Sequence, residues 1–420
     1  MRVLRFFVLL FCGIFLCSAG EWSFATPPNR EDFILMNDFF AHQKNHIPGS
    51  VLNTSPKTLD IAINVWQDDE GQNNLPQEDF IYESIHQVIH WLNRFFSRVD
   101  LPVKPIEGVE YLRDSHLRFH LREITFFRNT ALNRVGCNDG HRLNAFAMQE
   151  YPHKQRYLNI HFVTGNCMGA SGYANYPVGA SSQSHSYVVS FMRSQWEDFT
   201  TYPFWALMLH LAHELGHNLD LRHPYDSEYC SLDHPDFLFD LFGFEKQPWC
   251  VNPRRGCDVC FHQGGWDCDF SDPQNTCTNN IMGGNKDNGS ITPLQMGRMH
   301  RALSLKSVRK YAWGYSSEPL LIQNNELWEL NSKIYQDIVI RSGATLWLKG
   351  DIEMVPEAQI IVEPGARLIV DGGSVQTALL APAPWRGVLA LPGLEKGFLF
   401  WRRKIPQGEV ILLNQGRITQ

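Results

Sequence analysis

The sequence predicts an α+β protein with a smaller all-β module towards its C-terminal end. Three observations carry that expectation. A strand-like alternation from Leu59 to Trp66 is followed by an amphipathic helical pattern. One long apolar helix opens at Pro203. A punctuated run of short apolar segments repeats from Ile338 onward.

Each element has its own local reason. Leu59, Ile61, Ile63 and Val65 alternate with Asp60, Ala62, Asn64 and Trp66, which is the period of a strand. The polar run Gln67 to Asn74 ends it. Phe80, Ile81, Ile85, Val88, Ile89, Leu92, Phe95 and Phe96 recur at spacings of three and four. That spacing predicts a helix introduced by Pro76 and lasting to about Val99, its aromatic stripe turned to the core. Leu117 to Phe127, Leu158 to Val163 and Tyr187 to Phe191 read as further strands. Gly165 to Gly179 is rich in Gly, Ala, Ser and Tyr and reads as a loop or an edge strand. The Pro203 helix runs through Trp205, Leu207, Met208, Leu211 and Leu215. Strand, helix, strand, strand and a long helix together fit an α+β or α/β core.

From about Glu318 the character changes. The stretch Ile338 to Gly350, with Gly343-Ala344 at its centre, is echoed 22 residues later by Ile360 to Gly372, with Gly365-Ala366. Short strands separated by Gly-Ala turns at a fixed period suit a short β-solenoid, a small β-sandwich being the other architecture. From Leu380 to the end no usable pattern remains.

The 420 residues leave room for two or three domains, and 44% hydrophobic with 19% charged residues suits a packed globular chain. Arg2 and Arg5 precede the apolar run Phe6 to Leu16, and Ser18, Ala19 and Gly20 follow it. Residues 1–20 therefore read as a cleaved signal peptide, the run being short for a membrane anchor, and a secreted protein is expected. The leader holds two arginines and no acids, so 35 basic residues face 44 acidic ones after its removal, a charge of −9. That balance argues against nucleic acid and against anionic lipid as the main partner, and no later stretch is long and apolar enough for stable membrane insertion.

Eight cysteines remain beyond the leader: Cys137, Cys167, Cys230, Cys250, Cys257, Cys260, Cys268 and Cys277. An even number behind a leader points to disulfides. Cys257, Cys260, Cys268 and Cys277 could hold a structural zinc, but in a secreted chain disulfides are the expected state. Cys137 and Cys167 are one available pair; spacing leaves connectivity open.

The chemistry concentrates in His213-Glu214-Leu215-Gly216-His217-Asn218-Leu219-Asp220-Leu221-Arg222-His223. On a helix, positions four apart share a face, so His213 and His217 can present two imidazoles to one ion. Glu214 projects about 100° round the helix, able to reach a water on that ion without ligating it. His223 joins as a third ligand only if the helix stops near Asp220 and the chain turns back. His210 lies near the same face and reads as a packed histidine.

This segment resembles the metzincin signature His-Glu-x-x-His-x-x-Gly-x-x-His, and Cys277 to Gly284 is similar to the Met-turn of that family, with Met282 as its methionine. Thr292 to His300 would form the helix that follows. The arrangement is most similar to the pappalysin (cytophagalysin) branch, in its bacterial secreted type, over about residues 56–315. The resemblance implies a zincin fold with a mixed twisted sheet, an active-site helix and a Met-turn subdomain. It implies one catalytic Zn2+ on His213, His217 and His223, with Glu214 as general base, and a protein or peptide substrate. Residues 21–55 would be an N-terminal segment and candidate pro-segment, 56–315 the catalytic domain and 316–420 the β-rich repeat module, which could contact a surface or glycan. Two positions depart from the pattern. Asp220 stands where the signature has glycine, and Gly284 where relatives often carry a tyrosine. Asp tolerates a left-handed backbone better than most residues. The departures sustain a second expectation: a secreted binding or adhesion protein whose zinc serves stability. Glu228 and Glu245 read as surface charges with His223 in place.

Overall fold

The computed structural model describes residues 42–103, 105–167, 170–178, 184–192, 203–223, 238, 240, 279–283, 289–396 and 403–420. The expected leader, most of the 21–55 segment, Glu228, Glu245, Gly284 and the cysteines from Cys230 to Cys277 lie outside the described residues.

The first sheet is built on β1 (Lys57–Gln67). It pairs in parallel with β2 (Leu117–Arg128) on one side and β3 (Leu158–Val163) on the other. Beyond β3 come β4 (Gly172–Ala174) and β5 (Tyr187–Phe191), in the order β2-β1-β3-β5-β4, with β4 antiparallel at the edge. A short β6 (Ala312–Trp313) pairs antiparallel with the start of β1.

Ten of the eleven residues of β1 are buried. Both faces are covered. Leu59, Ile61, Ile63 and Val65 join the main core with α1 (Asp79–Ser97), whose Ile81, Ile85, Val88, Ile89, Leu92, Phe95 and Phe96 point inward. Each such burial stabilises the fold by on the order of 2 kcal/mol. On the other face Trp66 packs with Phe127, Leu143 and Ala147, the last two from α3 (Gly140–Glu150). A short turn of helix, α2 (Thr130–Asn133), precedes α3. Two polar contacts lie on that face: Asn64 donates to Asn159, and the Trp66 indole donates to His161 Nδ1.

Two helices complete the α+β unit: α4 (Pro203–Asn218) and α5 (Pro293–Leu305). α4 packs against α1 and the β4–β5 edge. α5 opens on a capping box in which the Thr292 hydroxyl accepts from the Gln295 amide and the Gln295 side chain accepts from the Thr292 amide, with Pro293 at the first turn. A disulfide joins Cys137 to Cys167.

The C-terminal module is all-β with parallel strands. The chain visits three four-stranded sheets in turn. One holds Ser316–Ile322, Gln336–Ile340, Ile360–Val362 and Val388–Ala390. The second holds Glu326–Trp328, Thr345–Leu348, Arg367–Asp371 and Glu409–Leu413. The third holds Ser332–Ile334, Ile352–Met354, Ser374–Thr377 and Arg417–Ile418. The 22-residue echo is a pairing register: Ile338 stands beside Ile360 and Leu346 beside Leu368. Gly343 and Gly365 take φ of 91° and 78° at equivalent corners, a conformation glycine adopts freely. The stretch from Leu380, unreadable beforehand, supplies a further strand to each sheet plus the hairpin Leu394–Lys396 and Arg403–Ile405.

One apolar cluster runs from β1 through α5 into the inner faces of these sheets. Buried polar contacts cross the same boundary. Lys333 Nζ donates to the carbonyls of Ala312 (2.7 Å) and Arg309 (3.2 Å), Arg309 pairs with Glu353 at 3.2 Å, and the Tyr335 hydroxyl donates to Leu303. No helix among the described residues is long and apolar enough to cross a membrane.

Candidate metal centre

The helix α4 is long enough to set His213 and His217 one turn apart on one face. It then ends by a specific device. Asp220 takes φ 75°, its amide donates to the His217 carbonyl, and the Leu221 amide reaches back to the Gly216 carbonyl at 2.9 Å. Those paired bonds around one left-handed residue are a Schellman C-cap, with Asp220 in the place glycine usually takes. The reversal brings His223 back over the helix.

Three imidazoles meet there. The Nε2 atom of His223 is 3.0 Å from Nε2 of His213 and 3.0 Å from Nε2 of His217. The tautomers follow from the partners. His213 Nδ1 is 2.8 Å from the Ile281 carbonyl and His217 Nδ1 is 2.8 Å from the Leu221 carbonyl. A carbonyl only accepts, so both Nδ1 atoms carry the proton and both Nε2 lone pairs face His223. Burial, then the neighbouring imidazoles, hold the pKa of His217 well below its ordinary value. Two Nε2 lone pairs aimed at a third imidazole nitrogen suit a cation bound between the three rings. Nitrogens at the usual zinc–nitrogen distance, in tetrahedral array, stand about 3.3 Å apart, close to what is seen. Among the described residues His213, His217 and His223 are the group of side chains able to hold a metal ion.

The floor is made by the segment Ile281–Gly283. Asn280 shapes it: its side-chain carbonyl accepts from the Met282 amide, and its amide and that of Gln295 exchange hydrogen bonds. Met282 is fully buried beneath α4. A Cβ on Gly216 would stand 2.7 Å from its sulfur, so the helix approaches this closely only because residue 216 is glycine.

Glu214 is buried and its pKa is pushed up to about 8 by that burial. Its Oε2 has no hydrogen-bond partner among the described residues. A carboxylate oxygen left so beside three convergent imidazoles is placed to meet a water or a substrate proton. His210 lies 3.8 Å from Glu214 through Nδ1 and packs against β4, where a Cβ on Gly172 would be 2.5 Å from its Nε2. Burial lowers its pKa to about 4, and it stands apart from the three-imidazole group.

Several neighbours carried no signal in the sequence. The Tyr176 ring stands edge-on to His217, centroids 5.3 Å apart, with the Arg222 guanidinium 4.5 Å from the Tyr176 ring centre. Asn218 ties the helix end to the sheet edge by donating to the carbonyls of Asn175 and Tyr187. Asp220, read beforehand as a tolerated departure, is buried and paired with Arg298 and Lys306. All of these depend on pairs distant in sequence.

A family model for metallo-peptidase family M12 matches residues 93–245, a span that encloses α4 and all three histidines. No curated protein matches the chain. Among solved structures, mirolysin in complex with compound 9 is similar at 18% identity, covering 60% of this chain and 92% of that chain, with a TM-score of 0.35. The family match supports a peptidase function for a metallopeptidase-like α+β unit.

Proposed function

We propose that this chain is a secreted zinc-dependent endopeptidase of metzincin type, in the pappalysin branch. His213, His217 and His223 would hold the metal, and Met282 would be the methionine of a Met-turn. The observation that carries this reading is the convergence of three Nε2 atoms whose partner nitrogens are tied to backbone carbonyls. Such ties fix the tautomer and orientation that a ligand needs. Zinc held there would supply an open position, a water of lowered pKa and a Lewis acid for the scissile carbonyl.

The chain's own residues do the rest. Glu214, kept out of solvent, accepts a proton from the attacking water and returns it to the departing amine. Among the described residues β4 is the edge strand beside α4, a position where an extended peptide could add to the sheet. We assign residues 1–20 to a signal peptide, 21–55 to an N-terminal segment, 56–315 to the catalytic domain and 316–420 to a C-terminal module built as a short β-solenoid.

The test is zinc content and cleavage of unfolded protein by the wild type and by Glu214→Ala. One zinc per chain in both, with kcat/KM reduced roughly 10²–10⁴-fold in the variant, is the expected result. One zinc in both and cleavage in neither would instead favour the binding-protein alternative.

A further inference from the structure

The signature-like segment carries aspartate where a glycine would relieve the backbone, and that aspartate is not idle. Asp220 is 3% exposed. Its Oδ2 lies 3.2 Å from Arg298 Nε and 2.6 Å from Lys306 Nζ. Arg298 Nε also donates to the backbone carbonyl of the same residue at 2.7 Å. Both the side chain and the main chain of the turn are therefore held by one helix, α5, and by the lysine at its C-cap.

The same helix holds the floor. Gln295, in its first turn, exchanges hydrogen bonds with Asn280, which in turn accepts from the Met282 amide. Thus α5 grips two separate pieces of the centre: the segment under the imidazoles and the reversal that returns His223. A glycine at position 220 would adopt φ 75° with less strain, but would be tethered by nothing beyond the main chain. It would also leave the buried Arg298 and the half-buried Lys306 without their shared carboxylate.

We propose that Asp220 is a positioning residue, its ion pairs to Arg298 and Lys306 locking the turn that presents His223 to the metal. This rests on the reading of the three histidines as ligands. Removing a group that orients a ligand typically weakens metal affinity by about 10- to 100-fold.

The variants Asp220→Gly, Asp220→Asn and Lys306→Met would be compared with wild type and His223→Ala in the full chain. Zinc affinity would be measured by chelator competition, the visible spectrum taken with cobalt in place of zinc, and melting temperature recorded without metal. Asp220→Gly and Asp220→Asn are expected to bind zinc about 10- to 100-fold more weakly and to shift the cobalt bands. Lys306→Met keeps the Arg298 pair, so it guards against simple misfolding; it should show a smaller loss in the same direction. If Asp220→Gly melts lower yet keeps wild-type zinc affinity and cobalt bands, Asp220 merely stabilises the fold and this proposal is overturned. A wild type that binds no zinc, or binds it no better than His223→Ala, overturns the ligand reading and this proposal together.

Discussion

At the residue scale, the centre depends on a missing side chain as much as on the imidazoles. Gly216 lies between Glu214 and His217 on α4, where a methyl group would stand 2.7 Å from the Met282 sulfur. Methionine is adaptable, but both partners are buried and the floor is hydrogen-bonded through Asn280. Gly216→Ala is expected to destabilise the protein by about 1–3 kcal/mol despite the better helix propensity of alanine. Thermal unfolding of the variant checks this, and an unchanged or raised melting temperature would mean that the floor yields freely. Tyr176 and Arg222 show the same dependence on neighbours: nothing in their local sequence marks them, yet the ring borders His217.

At the element scale, α5 has a strong start that its sequence displays and a role that it does not. Thr292, Pro293 and Gln295 form the capping box, and Thr292 Oγ1 also donates to Asp240 at 2.8 Å. Thr292→Ala removes both contacts and should cost about 1–2 kcal/mol, read from a urea unfolding curve. Because Gln295 also holds Asn280, loosening this start should lower metal retention as well as stability, which dialysis against a weak chelator would reveal. Equal zinc content in variant and wild type would show that the floor does not depend on the cap. The helix α1, by contrast, presents a broad apolar face to the core, with Asn93 adding a pair of hydrogen bonds to the Phe119 backbone, and that face is why its three-and-four spacing was so readily legible.

At the scale of the whole molecule, the boundary between the α+β unit and the parallel-stranded module is buried and charged. Lys333, held by two backbone carbonyls and 3.8 Å from the Trp313 ring centre, has its pKa lowered to about 7 by burial. Lys57, inside the same cluster, is lowered to about 7 for the same reason. For a base depressed in the folded state, the unfolded chain binds more protons between the two pKa values. Stability therefore rises with pH from about 7 towards 9. Urea midpoints at pH 7, 8 and 9 should climb, with Lys333→Met flattening the slope; a level or falling series in the wild type would contradict this. Since one apolar cluster spans the boundary, the two parts are expected to unfold together.

What the sequence determined by itself was local. The period of two in β1, the three-and-four spacing of α1 and α4, and the spacing of His213 and His217 each follow from bonds within one element, so a linear string displays them. The 22-residue echo was equally readable, because parallel strands a fixed 22 residues apart place like residues in register. Unequal spacing between paired strands hid the rest: Leu320 pairs with Ile338, Ile360 with Val388 and Leu368 with Val410, at three different separations. Only the tertiary structure decided that both faces of β1 are buried, that Gly216 admits Met282, and that Asp220 is tied to Arg298 and Lys306. Those contacts join residues far apart in the chain, and close packing, which has no period along a sequence, selects them.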